Sequence, residues 1–331
     1  MAESSEANQS LGWQPPSLLT APPFFLWSPK PFKVAKYIFR FPGYLWPWNA
    51  FYSAIAVVSW LTLTPELPEM RTLATGWIAK IFLVNFMLLT VITSVQHLWL
   101  YARRSQGTEY KYNARWPSTK TPAFLFGDQA LDNAIWTLIS AVPIWTAYEV
   151  LLLWAQANGI APTVSWRVHP LYCTLILMAV PIIHEVHFYT IHRLIHSPAL
   201  YRKVHSLHHK NINPGPWSGL AMHPVERLLY FSGVFLFFIF PATPLHVVYY
   251  VQRAALTPSK GHSGFGRIRI GGSKSFDNDH YMHYLHHKYF EVNFGGDGLV
   301  PIDKWLGTFH DGSEDALRTI RRRRKIRRNE G

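Results

Sequence analysis

Eight histidines stand in three short groups in the second half of the chain. His192 and His196 are four residues apart, and the two later groups both have the spacing H-x-x-H-H. Residues at i, i+3 and i+4 share one face of an α-helix, so each group is expected to direct its imidazoles toward one point. Imidazoles buried at this density need a cation or hydrogen bonds to compensate them. The two later groups are His205, His208 and His209, and His283, His286 and His287.

The ligand type limits which metals these histidines would bind. Cys173 is the only cysteine in 331 residues, which excludes a thiolate site. Imidazole nitrogens bind iron, zinc, copper and nickel, and eight or more of them suffice for two ions. A nitrogen-rich site for two metals favours redox-active iron. A single histidine is more often an ordinary core or surface residue, so this prediction depends on the three groups occurring together.

Further motifs surround the histidines over residues 185–312. They are H-R-L-I-H at 192–196, H-H-K at 208–210, M-H-P-V-E at 222–226, H-S-G at 262–264, H-H-K-Y-F-E-V-N-F-G-G at 286–296 and D-K-W-L-G-T-F-H-D-G at 303–312. In order and spacing they resemble the membrane-bound fatty acid hydroxylase and sterol desaturase superfamily, whose members use a histidine-ligated di-iron centre. One H-x-x-H-H motif would be weak evidence, whereas the combined set is highly specific.

The resemblance implies a set of site residues and cofactors. The implied ligands are the eight histidines above and His262, which matches the histidine that the family places before its last motif. Glu185 keeps a carboxylate where the family often has Asp, and it is the expected catalytic acidic residue, fixing the tautomer of metal-bound imidazoles and balancing their charge. The implied cofactor is two iron ions, with O2 as co-substrate. Four further histidines are left without a role: His184, His187, His223 and His280.

Apolar residues are concentrated in a few long stretches. Hydrophobic residues make up 49% of the chain and charged residues 15%, an average that combines charged loops with stretches nearly free of charge. About 20 such residues cross a bilayer as a helix, so the chain is expected to be an integral membrane protein. The stretch 227–257 is interrupted by prolines and is expected to form a re-entrant or interfacial helical hairpin, or two tilted crossings. Four spans are predicted, at 49–65, 74–100, 131–156 and 168–190.

Lys and Arg residues favour one orientation of these spans. They are frequent before the first span, between the second and third, and after the fourth, but rare in the other two connections. Both termini and the histidines are therefore expected in the cytosol. The predicted fold is all-α, with about four transmembrane helices and a cytosolic helical cap that holds a His-rich dimetal centre. The expected regions are an N-terminal, partly interfacial arm (1–48), a membrane-bound hydroxylase or desaturase domain (49–312) and a basic cytosolic tail (313–331).

The resemblance implies an O2-dependent, non-haem di-iron monooxygenase that hydroxylates or desaturates an unactivated C–H bond of a lipid entering from the bilayer. A sterol, terpenoid or related lipid is favoured. The alternatives are an acyl-chain hydroxylase or desaturase and a non-enzymatic protein that handles metal in the membrane.

The chain also predicts partners and a location. It contains neither a G-x-G-x-x-G fingerprint nor an H-P-G-G haem motif, so electrons are expected from an external donor such as cytochrome b5 and its reductase. The basic tail is expected to bind anionic membrane lipid and not nucleic acid. For a eukaryotic source, the endoplasmic reticulum membrane is the expected location.

Overall fold

A computed structural model describes residues 12–16, 22–272, 274–278 and 280–330 of the chain. These residues form an all-α fold with one two-stranded antiparallel hairpin. The main helices are α1 (Pro31–Phe39), α2 (Ala50–Val58), α3 (Thr75–Ala102), α4 (Gln129–Ala157), α5 (Pro170–Ile195), α6 (Ser206–His209), α7 (Pro224–Phe231), α8 (Pro244–Gly261), α9 (Tyr281–Tyr289), α10 (Ile302–Trp305) and α11 (Glu314–Glu330), and the strands are β1 (Arg267–Gly271) and β2 (Lys274–Asp277).

Three helices, α3, α4 and α5, are long and apolar enough to cross a membrane. They correspond to the second, third and fourth predicted spans. Helix α5 continues to Ile195, so His192 lies inside its last turn and not beyond the end of the span, where it was expected. The all-α membrane fold predicted from the sequence is confirmed.

The first predicted span, 49–65, is not among these three helices. Its residues form α2 with an adjoining π-helical turn at each end, and Trp46 has a non-helical backbone near their start. The helix from Pro47 to Leu63 is only ~25 Å long at 1.5 Å per residue, less than the ~30 Å of a typical hydrocarbon core. Three of the four predicted spans are therefore found as candidate membrane helices among the described residues, and the first stays a prediction.

The stretch after the second histidine group forms a hairpin through the depth of the bundle. Helix α7 and the 3₁₀ helix Ser232–Phe238 form one arm, and α8 forms the other. At the turn, the Ala242 N–H donates to the Pro162 carbonyl (3.2 Å) and Gln156 Nε2 donates to the Ala242 carbonyl (3.0 Å). Both arms thus run from the histidines to the far end of the spans, which an interfacial hairpin would not do. Helix α8 is buried along most of its length against α2, α3, α4 and α5.

The connections between the helices alternate between the two ends of the bundle. The α2–α3 and α4–α5 connections meet at the end far from the histidines, where Asn158 Nδ2 donates to the Arg71 carbonyl (3.1 Å). The α3–α4 connection lies at the histidine end, where the Tyr112 N–H donates to the Gly264 carbonyl (2.9 Å). Helices α2 and α3 thus form one hairpin and α4 and α5 another, both with their connections far from the histidines.

Candidate metal centre

Nine histidine side chains meet at one end of the bundle in two adjacent groups. Within each group, one ring nitrogen from every histidine lies within 4.8 Å of the others, close enough to share a metal ion. The nine are the same residues that the sequence implied as ligands. The five-histidine group contains His192, His196, His205, His209 and His286, and the four-histidine group contains His208, His262, His283 and His287.

Each H-x-x-H-H motif is divided between the two groups, although its three imidazoles were expected to point to one place. Successive residues of an α-helix are rotated by about 100°, so positions i and i+4 differ by only about 40° whereas i+3 and i+4 differ by about 100°. His205 and His209 therefore share the five-histidine group, while His208 joins the other. The last motif divides in the same way. The two motifs thus connect the two groups.

Within each group the Nε2 atoms approach one another as ligands of one ion would. His196 Nε2 lies 3.2 Å from His209 Nε2 and 3.1 Å from His286 Nε2. In the four-histidine group, His262 Nε2 lies 3.0 Å from His287 Nε2. Two nitrogens that each lie ~2.1 Å from an ion are ~3.0 Å apart when they bind at a right angle. Both groups therefore fit a metal ion with imidazole ligands.

In four of the histidines, the other ring nitrogen, Nδ1, is held by an oxygen. Such a contact fixes the orientation of the ring and places its proton on Nδ1, which leaves the Nε2 lone pair free for a cation. The pairs are His192 with the Phe294 carbonyl (2.8 Å), His286 with the Val292 carbonyl (2.7 Å), His262 with the Pro258 carbonyl (3.0 Å) and His205 with Glu226 Oε1 (2.8 Å).

The rings are shielded from solvent. Eight of the nine histidines are buried and His196 is half-buried. Burial, followed by repulsion from neighbouring imidazoles, holds the pKa of His286 and of His287 well below the ordinary value of histidine. Such rings stay neutral at physiological pH and are available as ligands.

Two buried carboxylates lie beside the histidines, and their contacts differ from the expectation. Glu185 accepts hydrogen bonds from the backbone N–H groups of residues 297–298 at 2.8 and 3.0 Å, and not from an imidazole. Glu185 lies seven residues before His192, which is ~10 Å along the axis of α5. At that distance its carboxylate contacts the loop at residues 297–298 and not the imidazoles. The carboxylate that holds an imidazole is Glu226, whose Oε1 lies 2.8 Å from His205 Nδ1.

The four histidines without an assigned role lie outside both groups. Three of them have local structural contacts, and His280 lines the cavities described below. The three contacts are His184 Nε2 with the Tyr230 hydroxyl (3.4 Å), His187 Nε2 with the Ser232 hydroxyl (3.1 Å), and His223 Nδ1, which accepts from the Val225 N–H (3.2 Å) at the start of α7.

The loop after α9 supplies two of the carbonyl groups that hold Nδ1 atoms. The residues that fix the conformation of this loop were not among the predicted site residues. Asp303 accepts from the N–H groups of Phe294 (2.9 Å) and Gly295 (2.8 Å). Asn293 donates to the His310 carbonyl and accepts from the His310 N–H, both at 2.8 Å. The available signal was that Asn293 and Asp303 lie inside the N-F-G-G and D-K-W-L-G-T motifs.

Two cavities adjoin the histidines. The inner cavity, about 50 Å³, is lined by histidines of both groups and by the apolar side chains of Phe188 and Met222. The outer cavity, about 250 Å³, lies between the N-terminal arm, at Pro22 and Tyr37, and the loop 296–301. The lining residues common to both cavities are His280, Gly296 and Asp297.

Residues 177–308 match the family model described as fatty acid hydroxylase. This segment contains all nine histidines of the two groups and the loop that supports them. The resemblance to the fatty acid hydroxylase and sterol desaturase superfamily is confirmed. The match therefore covers the part of the chain that forms the candidate metal centre.

Curated relatives of this chain include proteins named for two lipid-modifying activities. A Delta(7)-sterol 5(6)-desaturase of Aspergillus fumigatus is 31% identical over 170 residues, covering 45% of this chain and 52% of that protein. A Delta(7)-sterol 5(6)-desaturase of Candida glabrata is 28% identical, covering 54% and 49%. Sphinganine C4-monooxygenase 1 of Arabidopsis thaliana is 29% identical, covering 37% and 48%. The chain thus spans about half the length of these relatives, and no solved structure matches it.

Proposed function

We propose that this chain is a membrane-bound, O2-dependent oxidoreductase that hydroxylates or desaturates an unactivated C–H bond of a lipid, using two iron ions. The observation that carries the proposal is the convergence of nine histidines in two adjacent groups beside a small cavity with apolar walls. The five-histidine group would hold one ion and the four-histidine group the other.

The chemistry favours iron over other metals that accept imidazole. Zinc has no redox chemistry, whereas oxidation of a C–H bond requires it. The family resemblance supports iron over copper. When bound, two iron ions would supply the activation of O2 that side chains do not provide.

The residues of the chain would prepare the site for this reaction. Glu226 and the loop carbonyls hold the ligand rings in one orientation, so that little reorganisation is needed when metal binds. Phe188, Met222 and Tyr230 line the inner cavity and restrict water beside the histidines. Glu185 holds the backbone of the loop that closes this cavity.

The names of the relatives suggest the class of substrate. Sterols and sphinganine both carry a hydroxyl group on carbon 3, and the named reactions take place at carbon 5 or at carbon 4. We therefore propose a lipid whose hydroxyl-bearing carbon is at most two bonds from the carbon attacked, with a sterol or related polycyclic lipid favoured and a long-chain base or acyl lipid as the alternative. The same site would serve hydroxylation and desaturation.

Electron supply and location complete the proposal. Electrons would come from a separate membrane donor such as cytochrome b5 and its reductase, and the lipid would enter from the bilayer. The three spans support a multi-pass membrane location. The histidines and both termini would face the cytosol, and in a eukaryote the membrane would be that of the endoplasmic reticulum.

Metal analysis of the detergent-purified protein tests the proposal. We expect about two irons per chain by elemental analysis with Mössbauer spectroscopy, and loss of both in the triple variant His205→Ala, His208→Ala, His209→Ala, which removes ligands from both groups. A His169→Ala variant, altered at an exposed histidine at the far end of the bundle, should keep both irons. One zinc per chain, or iron retained in the triple variant, would instead favour a protein that handles metal without oxidising lipid.

A further inference from the structure

A thin wall separates the inner cavity beside the histidines from the outer cavity. His280, Gly296 and Asp297 line both cavities. Because Gly296 has no side chain, the polar side chains of this wall are those of His280 and Asp297. A molecule that occupies both cavities would therefore contact His280 and Asp297.

His280 has an unused hydrogen-bonding atom at this wall. The side chain is only 4% exposed, and its Nε2 atom has no hydrogen-bond partner in the described part of the chain. Asp297 Oδ1 lies 3.8 Å from it, which is too far for a direct hydrogen bond. A buried ring nitrogen without a partner is costly, so a ligand atom that satisfies it gains affinity.

His280 and Asp297 are both held in place by contacts with surrounding residues. The Asp297 side chain pairs with Arg253 of α8 through its other oxygen, Oδ2. The Asp297 N–H donates to Glu185 of α5 (2.8 Å), and the His280 N–H donates to the Tyr112 hydroxyl (3.2 Å). A rigid pair of this kind loses little conformational freedom when a ligand binds.

We propose that His280 Nε2 and Asp297 Oδ1 together bind a hydroxyl group of the lipid substrate, an inference that rests on the proposed function. A hydroxyl oxygen placed between them at ~2.8 Å from each atom would accept from one and donate to the other. This arrangement requires the tautomer of the neutral imidazole that carries its proton on Nε2, which donates to the hydroxyl oxygen while the carboxylate accepts the hydroxyl proton. His280 would thus be a specificity-determining residue and not a metal ligand.

This position fits the proposed class of substrate. Consider a lipid whose hydroxyl-bearing carbon is two bonds from the reacting carbon. The hydroxyl oxygen is then three bonds from the reacting carbon, and with bonds of ~1.5 Å these two atoms are less than ~4.5 Å apart. A hydroxyl bound at the wall would therefore leave the reacting carbon in the inner cavity, beside His192 and His283. The hydroxyl would select which carbon is presented to the histidines.

A binding comparison tests this inference on the full-length, iron-loaded protein in lipid nanodiscs. The probes are a Delta(7) sterol with its 3-hydroxyl group and the 3-deoxy analogue, and sphinganine with its 3-deoxy analogue. For at least one pair, we expect the hydroxylated lipid to bind about tenfold or more tightly than the deoxy lipid, as a hydrogen bond to a charged group would give.

The variants assign that preference to His280. His280→Leu should bring the affinity ratio close to one by weakening only the hydroxylated lipid, with iron content unchanged. His280→Gln, whose amide N–H can replace Nε2–H, should restore part of the preference. His169→Leu is the matched control at an exposed site and should keep the wild-type ratio.

The outcomes separate this inference from the proposed function. Equal binding of the hydroxylated and deoxy lipids to the wild type, or a preference that survives in His280→Leu, would overturn the hydroxyl site while the oxidoreductase proposal stands. Iron lost in His280→Leu would make His280 a ligand and overturn the assigned role. Failure of all four lipids to bind would overturn the proposed substrate class together with the hydroxyl site.

Discussion

At the scale of single residues, the chemistry of the site depends on which atom holds each imidazole. Three of the four acceptors on Nδ1 are backbone carbonyls, which substitution cannot remove, whereas the fourth is the Glu226 carboxylate on His205. Glu226 is only 2% exposed, so water cannot replace its carboxylate as the hydrogen-bond acceptor of His205. This makes Glu226 the side chain through which ring orientation is most directly tested.

We expect Glu226→Ala to weaken iron binding by about 10- to 100-fold, the usual cost of removing a group that orients a ligating histidine. Glu226→Gln should lose less, because the amide oxygen still accepts from Nδ1–H. Competition with an iron chelator measures both affinities, and Glu314→Ala, at an exposed position of α11, is the control. If Gln weakens binding as much as Ala, the negative charge matters and not the hydrogen bond. If Ala binds normally, Glu226 has no such role.

At the scale of elements, the loop between α9 and α10 forms one wall of the metal centre although it contributes no ligand. Its backbone supplies the carbonyls of Val292 and Phe294 to His286 and His192. Asp303, which is 2% exposed, holds the loop by accepting from two backbone N–H groups. The position of two ligand rings therefore depends on a residue of α10.

We expect Asp303→Ala to destabilise the protein by about 1–3 kcal/mol for each backbone N–H left without an acceptor, and to lower iron affinity as well. Asp303→Asn retains one oxygen and should have an intermediate effect. Thermal unfolding and chelator competition measure the two quantities, and altered Mössbauer parameters would show that the iron environment changes. Asp315→Ala, exposed on α11, should match the wild type. Lower stability with unchanged iron affinity and spectrum would reduce Asp303 to a purely structural residue.

The same scale shows which elements the sequence could predict. The three long spans follow from apolar length alone, eight of the nine histidines of the two groups follow from motif spacing, and His262 follows from the family resemblance. The division of each H-x-x-H-H motif between two groups depends on how α6 and α9 pack, which spacing does not determine. The strands β1 and β2 were missed, although the alternation R-I-R-I before Gly271 and Gly272 is a hairpin signal. The part played by Glu226 needed the fold, because it lies 21 residues after His205.

At the scale of the whole molecule, the two histidine groups join elements that are far apart in the sequence. Their members come from α5, the segment 201–209, the end of α8 and α9. With metal bound, these elements are cross-linked at one end of the bundle, and the three spans are held by their own packing. Metal binding and the stability of the histidine end are therefore expected to be coupled.

Removal of the metal by a chelator should lower the melting temperature by on the order of 10 °C. A ligand whose concentration is far above its dissociation constant stabilises the folded state, and this stabilisation is lost with the metal. Because the spans do not depend on the metal, far-ultraviolet circular dichroism should change little. Limited proteolysis should instead find new cleavage sites within 196–223 and 262–312. The triple variant at His205, His208 and His209 is the control, and the chelator should leave its melting temperature unchanged. A wild-type protein that keeps its melting temperature and its protease resistance after complete metal removal would show that the histidine end folds independently of the metal.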